Sequence, residues 1–138
     1  MKIVLDTNVL VAGLLKPFGT PGEIVRMTSA GMLALCYDAR ILDEYREVLL
    51  RPKFHFEPSE VKVLLDVIES SGHLTASGPL PERLPDADDE VFLEIALAAF
   101  SDCLVTGNSK HFPRGKCCGM KIVTPVEFLK LYRKQIAS

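Results

Sequence analysis

The chain has 138 residues, 48% of them hydrophobic and 25% charged, with a net charge of -2 and a mean hydropathy of +0.20. That size and balance fit one globular domain spanning residues 1–138 and exclude a disordered or low-complexity chain. They also exclude a global electrostatic attraction for nucleic acid, so any such binding has to come from a local patch.

The apolar run KIVL opens the chain as a predicted strand over 2–5, and it leaves no room for a signal peptide. No stretch reaches the roughly 18 apolar residues of a membrane span, so the expected home is the cytoplasm, without a membrane partner. Thr20-Pro21 supplies a cap and a first-turn proline for a helix closed by Gly31. A second strand is predicted over 33–37. Asp38 then caps a helix whose stripe is Ile41, Tyr45, Val48 and Leu49 and which Pro52 ends. Val61, Leu64, Leu65 and Ile68 repeat at helical spacing before Gly72, and a weak third strand follows over 73–77. A polar, proline-rich loop covers 77–89. Phe92, Ile95, Ala96 and Ala99 mark the next helix, strands are predicted over 102–106 and 121–123, and Thr124-Pro125 opens the last helix.

Short strands that are apolar on both faces and alternate with helices predict a three-layer α/β/α sandwich around a mostly parallel five-stranded sheet. Cys36, Cys103, Cys117 and Cys118 show no zinc-type spacing and read as reduced, mostly packing residues.

In such a sheet ligands bind beyond the carboxyl ends of the strands. Asp6 follows the first strand and Asn108 stands just past the fourth, so both lie at that edge. On the helix after Asp38, Glu44 sits at the margin of the apolar stripe while Asp43 and Glu47 point away. Asp89 shares a face with Phe92, Leu93 and Ala96, and Glu90 and Glu94 are expected on the solvated side. Asp102 precedes its strand and therefore lies at the wrong end.

Converging carboxylates repel, and a divalent cation is their natural partner. Oxygen ligation of this kind suits Mg2+ or Mn2+ and the chemistry of phosphate esters. Each acid also has a plainer reading. Asp6 can be the cap of the next helix, Asp86, Asp88 and Asp89 a capping cluster, and Glu44 the partner of a surface cation.

The blocks VLDTNVLVAGL, ILDEYREVLLRPKF, DADDEVFLEIALAAFSDCLVTGNSKHFP and IVTPVEFL, which span nearly the whole chain, resemble the PIN domain ribonucleases. The resemblance is to the branch described as toxin components of toxin–antitoxin systems, related to VapC-like toxins. It implies that Asp6, Glu44 and Asp89 are the acidic metal ligands, with Thr7 and Asn8 supporting them, Thr106 and Asn108 completing the site and Asp88 as the fallback for Asp89. Many members carry an aspartate where this chain has Asn108. Hydrolysis of RNA by an activated water, an antitoxin protein and a homodimer are likewise what the resemblance implies.

Positive charge beside that edge comes from Lys110, Arg114, Lys116 and Lys121, interleaved with His111 and Phe112, which can hold RNA phosphates and stack a base. The segment from Arg51 to His55 is a weaker candidate. Two other functions compete. One is an aspartate-based phosphatase or receiver domain, although a phosphatase needs a second aspartate where Asn8 stands. The other is a PIN-like binding module without activity, which Asn108 keeps open.

Overall fold

The computed structural model describes residues 1–137. Five strands, β1 (Lys2–Leu5), β2 (Ala34–Tyr37), β3 (His73–Leu74), β4 (Cys103–Val105) and β5 (Ile122–Val123), form a single parallel sheet in the order β3-β2-β1-β4-β5. Six helices join them: α1 (Thr7–Leu15), α2 (Thr20–Ser29), α3 (Ala39–Leu49), α4 (Pro58–Ser71), α5 (Glu90–Ala98) and α6 (Pro125–Ala137). This is the predicted α/β/α sandwich, with every strand pair parallel.

Successive β1 residues point to opposite faces of the sheet, yet Ile3, Val4 and Leu5 are all fully buried. Both faces of the central strand are therefore covered, as a parallel sheet with crossover helices requires. The predicted strand over 73–77 shrinks to His73–Leu74. Only the first residues pair with β2, through Cys36 and Tyr37, before the proline-rich loop leaves the edge. The helix α1, which begins directly after Asp6, was not among the predicted elements. VLVAGLL is apolar all round, so it carries no amphipathic stripe to betray it.

Strand order decides where the site lies. The chain steps from β1 to β2 to β3 in one direction and then crosses back to place β4 on the other side of β1. The crevice beyond the ends of β1 and β4 is thus the topological switch point, where open α/β sheets bind ligands.

Packing fixes α3 against the end of β1. Tyr45 has no exposed surface, and its hydroxyl donates to the Leu5 carbonyl, the last of the strand before Asp6. Tyr45→Phe leaves that carbonyl without its partner and is expected to cost about 1–2 kcal/mol. At this chain length that corresponds to a fall in Tm of roughly 2–8 °C, measurable by thermal unfolding. An unchanged Tm would show that the buried bond contributes nothing.

Candidate active site at the crevice between β1 and β4

The register carries Leu5 opposite Val105, so the next residues of the two strands, Asp6 and Thr106, emerge side by side. Asp6 is buried, and its Oδ2 accepts a hydrogen bond of 2.8 Å from the Thr106 hydroxyl. Asp6 occupies the N-cap position of α1 but makes no capping bond with its side chain. The hydrogen bond that the carboxylate does make crosses the crevice to Thr106, although the Asn8 and Thr7 amides of α1 also act on its charge. Asn8, where a phosphatase would need its second aspartate, ties the β4 loop to α1 by accepting from the Gly107 amide at 3.2 Å.

Glu44 reaches the same place from α3. Its Oε2 accepts from the Thr7 hydroxyl, while Asp43 and Glu47 point to solvent as predicted and bind Arg46 and Arg51. Asp89 arrives at the start of α5. Asp86 caps the 3-10 turn that precedes α5, accepting from the Asp88 amide at 3.0 Å, and Asp89 stands at the N-cap position of α5 without a capping bond from its side chain. The exposed Asp88 stays near enough for its charge to act on Glu44.

The Asp6 charge acts on both of the other acids. Burial pushes the Asp6 carboxyl above the ordinary range, and the Thr106 hydroxyl offsets only part of this. Glu44 is raised by burial and by the Asp6 charge, against the pull of Thr7. Asp89 is pushed up to about 6 by burial and by Asp6, with His111 opposing. No lysine or arginine is ion-paired with any of the three among the described residues, although the surface carries such pairs in number.

Asp89 Oδ2 is buried and accepts no well-directed hydrogen bond; the nearest polar atom, Nδ1 of His111, lies 3.0 Å away. A buried carboxylate oxygen without a well-directed donor, on an acid that the Asp6 charge raises, is the kind of carboxylate that a neighbouring donor or a hard cation stabilises. Among the described residues no three His, Cys, Asp or Glu side chains group closely enough to hold an ion between them. The donor set still suits Mg2+, which keeps several waters and takes one or two carboxylates directly, the remainder acting through those waters.

The family model for the PIN domain matches residues 2–110, from the first strand through Asp6, Glu44 and Asp89 to the loop after β4. The chain belongs to the PIN domain family. PIN domains are generally nucleases that act on nucleic acid, commonly with divalent metal ions. An uncharacterized protein of Methanocaldococcus jannaschii is 24% identical over 147 aligned positions, which cover 99% of this chain and 95% of that protein. No solved structure matches. No helix among the described residues is long and apolar enough to cross a membrane.

Within this PIN domain two expectations need correction. Phe112 is 2% exposed and belongs to the core, so it cannot stack a base. Glu90 and Glu94 are not on a solvated face. Their side chains are only 13% exposed, and they anchor the proline-rich loop and α3 by binding Arg83, the Leu84 amide and Arg40. The error came from treating 77–89 as a loop that leaves the surface of α5 open, when it folds back over it. Asp102 does lie at the opposite edge, accepting from the Lys2 amide at 3.0 Å.

The residue that sequence reasoning placed in another role is His111. The signal was its position three residues after Asn108: a short 3-10 turn over Ser109–His111 brings such positions to one side, and Asn108 Nδ2 lies 2.8 Å from His111 Nε2.

Proposed function

We propose that this PIN domain is an Mg2+- or Mn2+-dependent endoribonuclease and the toxin of a toxin–antitoxin pair. The observation that supports the reading is that the charge of Asp6, at the switch point, raises both Glu44 and Asp89, while among the described residues no lysine or arginine is ion-paired with any of the three. Evolutionary drift toward stability would supply such acids with cationic partners or remove them, and a destabilised cluster in a crevice is the mark of a working site.

Asp6, Glu44 and Asp89 are the residues that would hold the ion. A bound Mg2+ or Mn2+ supplies an acidified water and neutralises charge on a scissile phosphate. The chain's own groups set the geometry. Thr106 holds Asp6, Thr7 holds Glu44, and Asn8 fixes the loop that carries Asn108. Lys110, Arg114 and Lys116 are exposed and make no ion pair among the described residues, so their charge is available to the phosphates of a single strand. A cleft of about 570 Å3 beside this loop, lined by Ser109, Arg114, Met120 and Lys121, gives the strand a path away from the acids.

The toxin assignment rests on the likeness of the sequence blocks to that branch of the family, and an antitoxin protein and a second copy of the chain are the partners it implies. A second reading, a PIN domain that binds without cutting, is favoured by Asn108, whose side chain is taken up by His111.

Incubation with single-stranded RNA separates the two. Cleavage is expected in Mn2+, lost with EDTA and restored by excess Mn2+, and it should weaken steeply as salt rises because phosphate contacts release counterions. Binding of RNA that leaves every strand intact in Mg2+ and Mn2+ would favour the module.

A further inference from the structure

His111 stands between an acid and an amide that are nineteen positions apart in the chain, Asp89 and Asn108. Its Nδ1 faces Asp89 Oδ2 at 3.0 Å, and its Nε2 faces Asn108 Nδ2 at 2.8 Å. An amide nitrogen only donates, so Nε2 must accept, and the proton of the neutral ring is left on Nδ1, toward the carboxylate. The opposite amide orientation would make Nε2 the donor and turn the Nδ1 lone pair against an anionic oxygen, which is repulsive. For the neutral ring only one arrangement is consistent, and in every consistent arrangement, neutral or charged, Nδ1 carries a proton toward Asp89. Asn108 is itself fixed, because its backbone amide donates to Thr106 Oγ1 at 3.1 Å, and that hydroxyl donates to Asp6 Oδ2. A continuous chain of contacts thus runs from Asp6 through Thr106, Asn108 and His111 to Asp89.

We infer that His111 is a positioning residue for the metal site: oriented by Asn108, its Nδ1–H holds Oδ2 of Asp89 and leaves Oδ1 for the ion. The inference rests on the reading of Asp89 as a metal ligand. The tether has a physical purpose. Asp89 lies within the field of Asp6, and without a donor beside it the carboxylate gains by turning away from that charge. The Nδ1 group 3.0 Å from Oδ2 limits that freedom before the ion arrives. The same chain explains why asparagine serves at position 108 in this protein, where its task is to fix a ring. An aspartate there could only accept from Nε2–H, so the ring would have to be charged to keep a proton on Nδ1 as well.

Outer partners of this kind are typically worth 10- to 100-fold in metal affinity. The test is Mn2+ binding to the full chain by titration calorimetry, with no RNA present. Wild type, Asp89→Asn, His111→Ala and His111→Asn are compared, with folding checked by thermal unfolding. His111→Phe, which keeps an aromatic ring of similar bulk and loses both nitrogens, replaces the alanine variant should that one unfold. His111→Ala is expected to weaken Mn2+ binding about 10- to 100-fold. His111→Asn sets an amide nitrogen near the former Nδ1 and should recover most of the loss, which a merely structural role would not produce. Wild-type Mn2+ affinity in His111→Ala or His111→Phe, with Asp89→Asn weakened, overturns the positioning role alone. Wild-type affinity in Asp89→Asn overturns the metal reading of Asp89 and this inference with it.

Discussion

Asp6→Asn is expected to lower kcat for metal-dependent RNA cleavage by on the order of a hundredfold or more, while the protein stays as stable as the wild type or becomes more so. The two halves of that result have one cause. Burial raises the Asp6 carboxyl above its ordinary range, so the ionised form is less favourable in the folded chain than in the unfolded one. Asparagine is isosteric, keeps an oxygen to accept from Thr106 and removes the charge. The fold loses a cost, and the ion loses a ligand. Cleavage assays and thermal unfolding of the same preparation check the pair. A variant with wild-type kcat would remove Asp6 from the chemistry, and a variant that loses activity only because its Tm collapses would make Asp6 a structural residue.

The second large effect is the response of stability to pH and metal. Asp89 ionises at about 6 in the folded chain against an ordinary 3.8, and Asp6 and Glu44 are shifted in the same direction. Between those values the folded state binds more protons than the unfolded state, so the stability of the metal-free protein falls as pH rises from about 4 to about 6 and then levels off. The Asp89 carboxyl contributes on the order of 1–3 kcal/mol to that fall. This is opposite in sign to the usual salt-bridged carboxylate. On the proposed metal reading Mn2+ is expected to reverse it, because the ion would bind the ionised acids. At a concentration of about 100 times its Kd it adds roughly 2.7 kcal/mol, a rise of several degrees in Tm near neutral pH. Near pH 4, where protons occupy the acids, the rise should vanish. Thermal unfolding across this range, with Mn2+ or with EDTA, gives the answer. A metal-free Tm that climbs from pH 4 to pH 6, or an absence of any Mn2+ effect at neutral pH, would mean that the cluster is not the cation site.

Much of this was legible in the residues. The fold class follows from short strands without a polar face, and Ile3, Val4 and Leu5 are buried as that pattern demands. Glu44 was legible because three residues separate it from the buried Ile41, which sets it at the margin of the stripe and away from Asp43 and Glu47. Other features left weaker traces. α1 is apolar on all sides, and periodicity is silent where there is no contrast. Phe112 reads as a loop residue with an aromatic ring, but the loop folds inward at that point and the ring joins the core. Glu90 and Glu94 look like solvent-facing acids until the segment before α5 closes over them.

The amino-acid order by itself determined the alternation of strands and helices, the position of Asp6 and Asn108 at strand ends, and the faces on which Glu44 and Asp89 lie. All of these are matters of local periodicity, set by backbone geometry within a few residues. Only the tertiary structure decided the partners: Thr106 for Asp6, Thr7 for Glu44, and the imidazole of His111 for Asp89. Those pairings span between 22 and 100 positions and depend on the order in which strands are laid beside β1. A parallel sheet joins residues that are distant in the chain, and the crevice exists only once β4 has crossed back to the far side of β1.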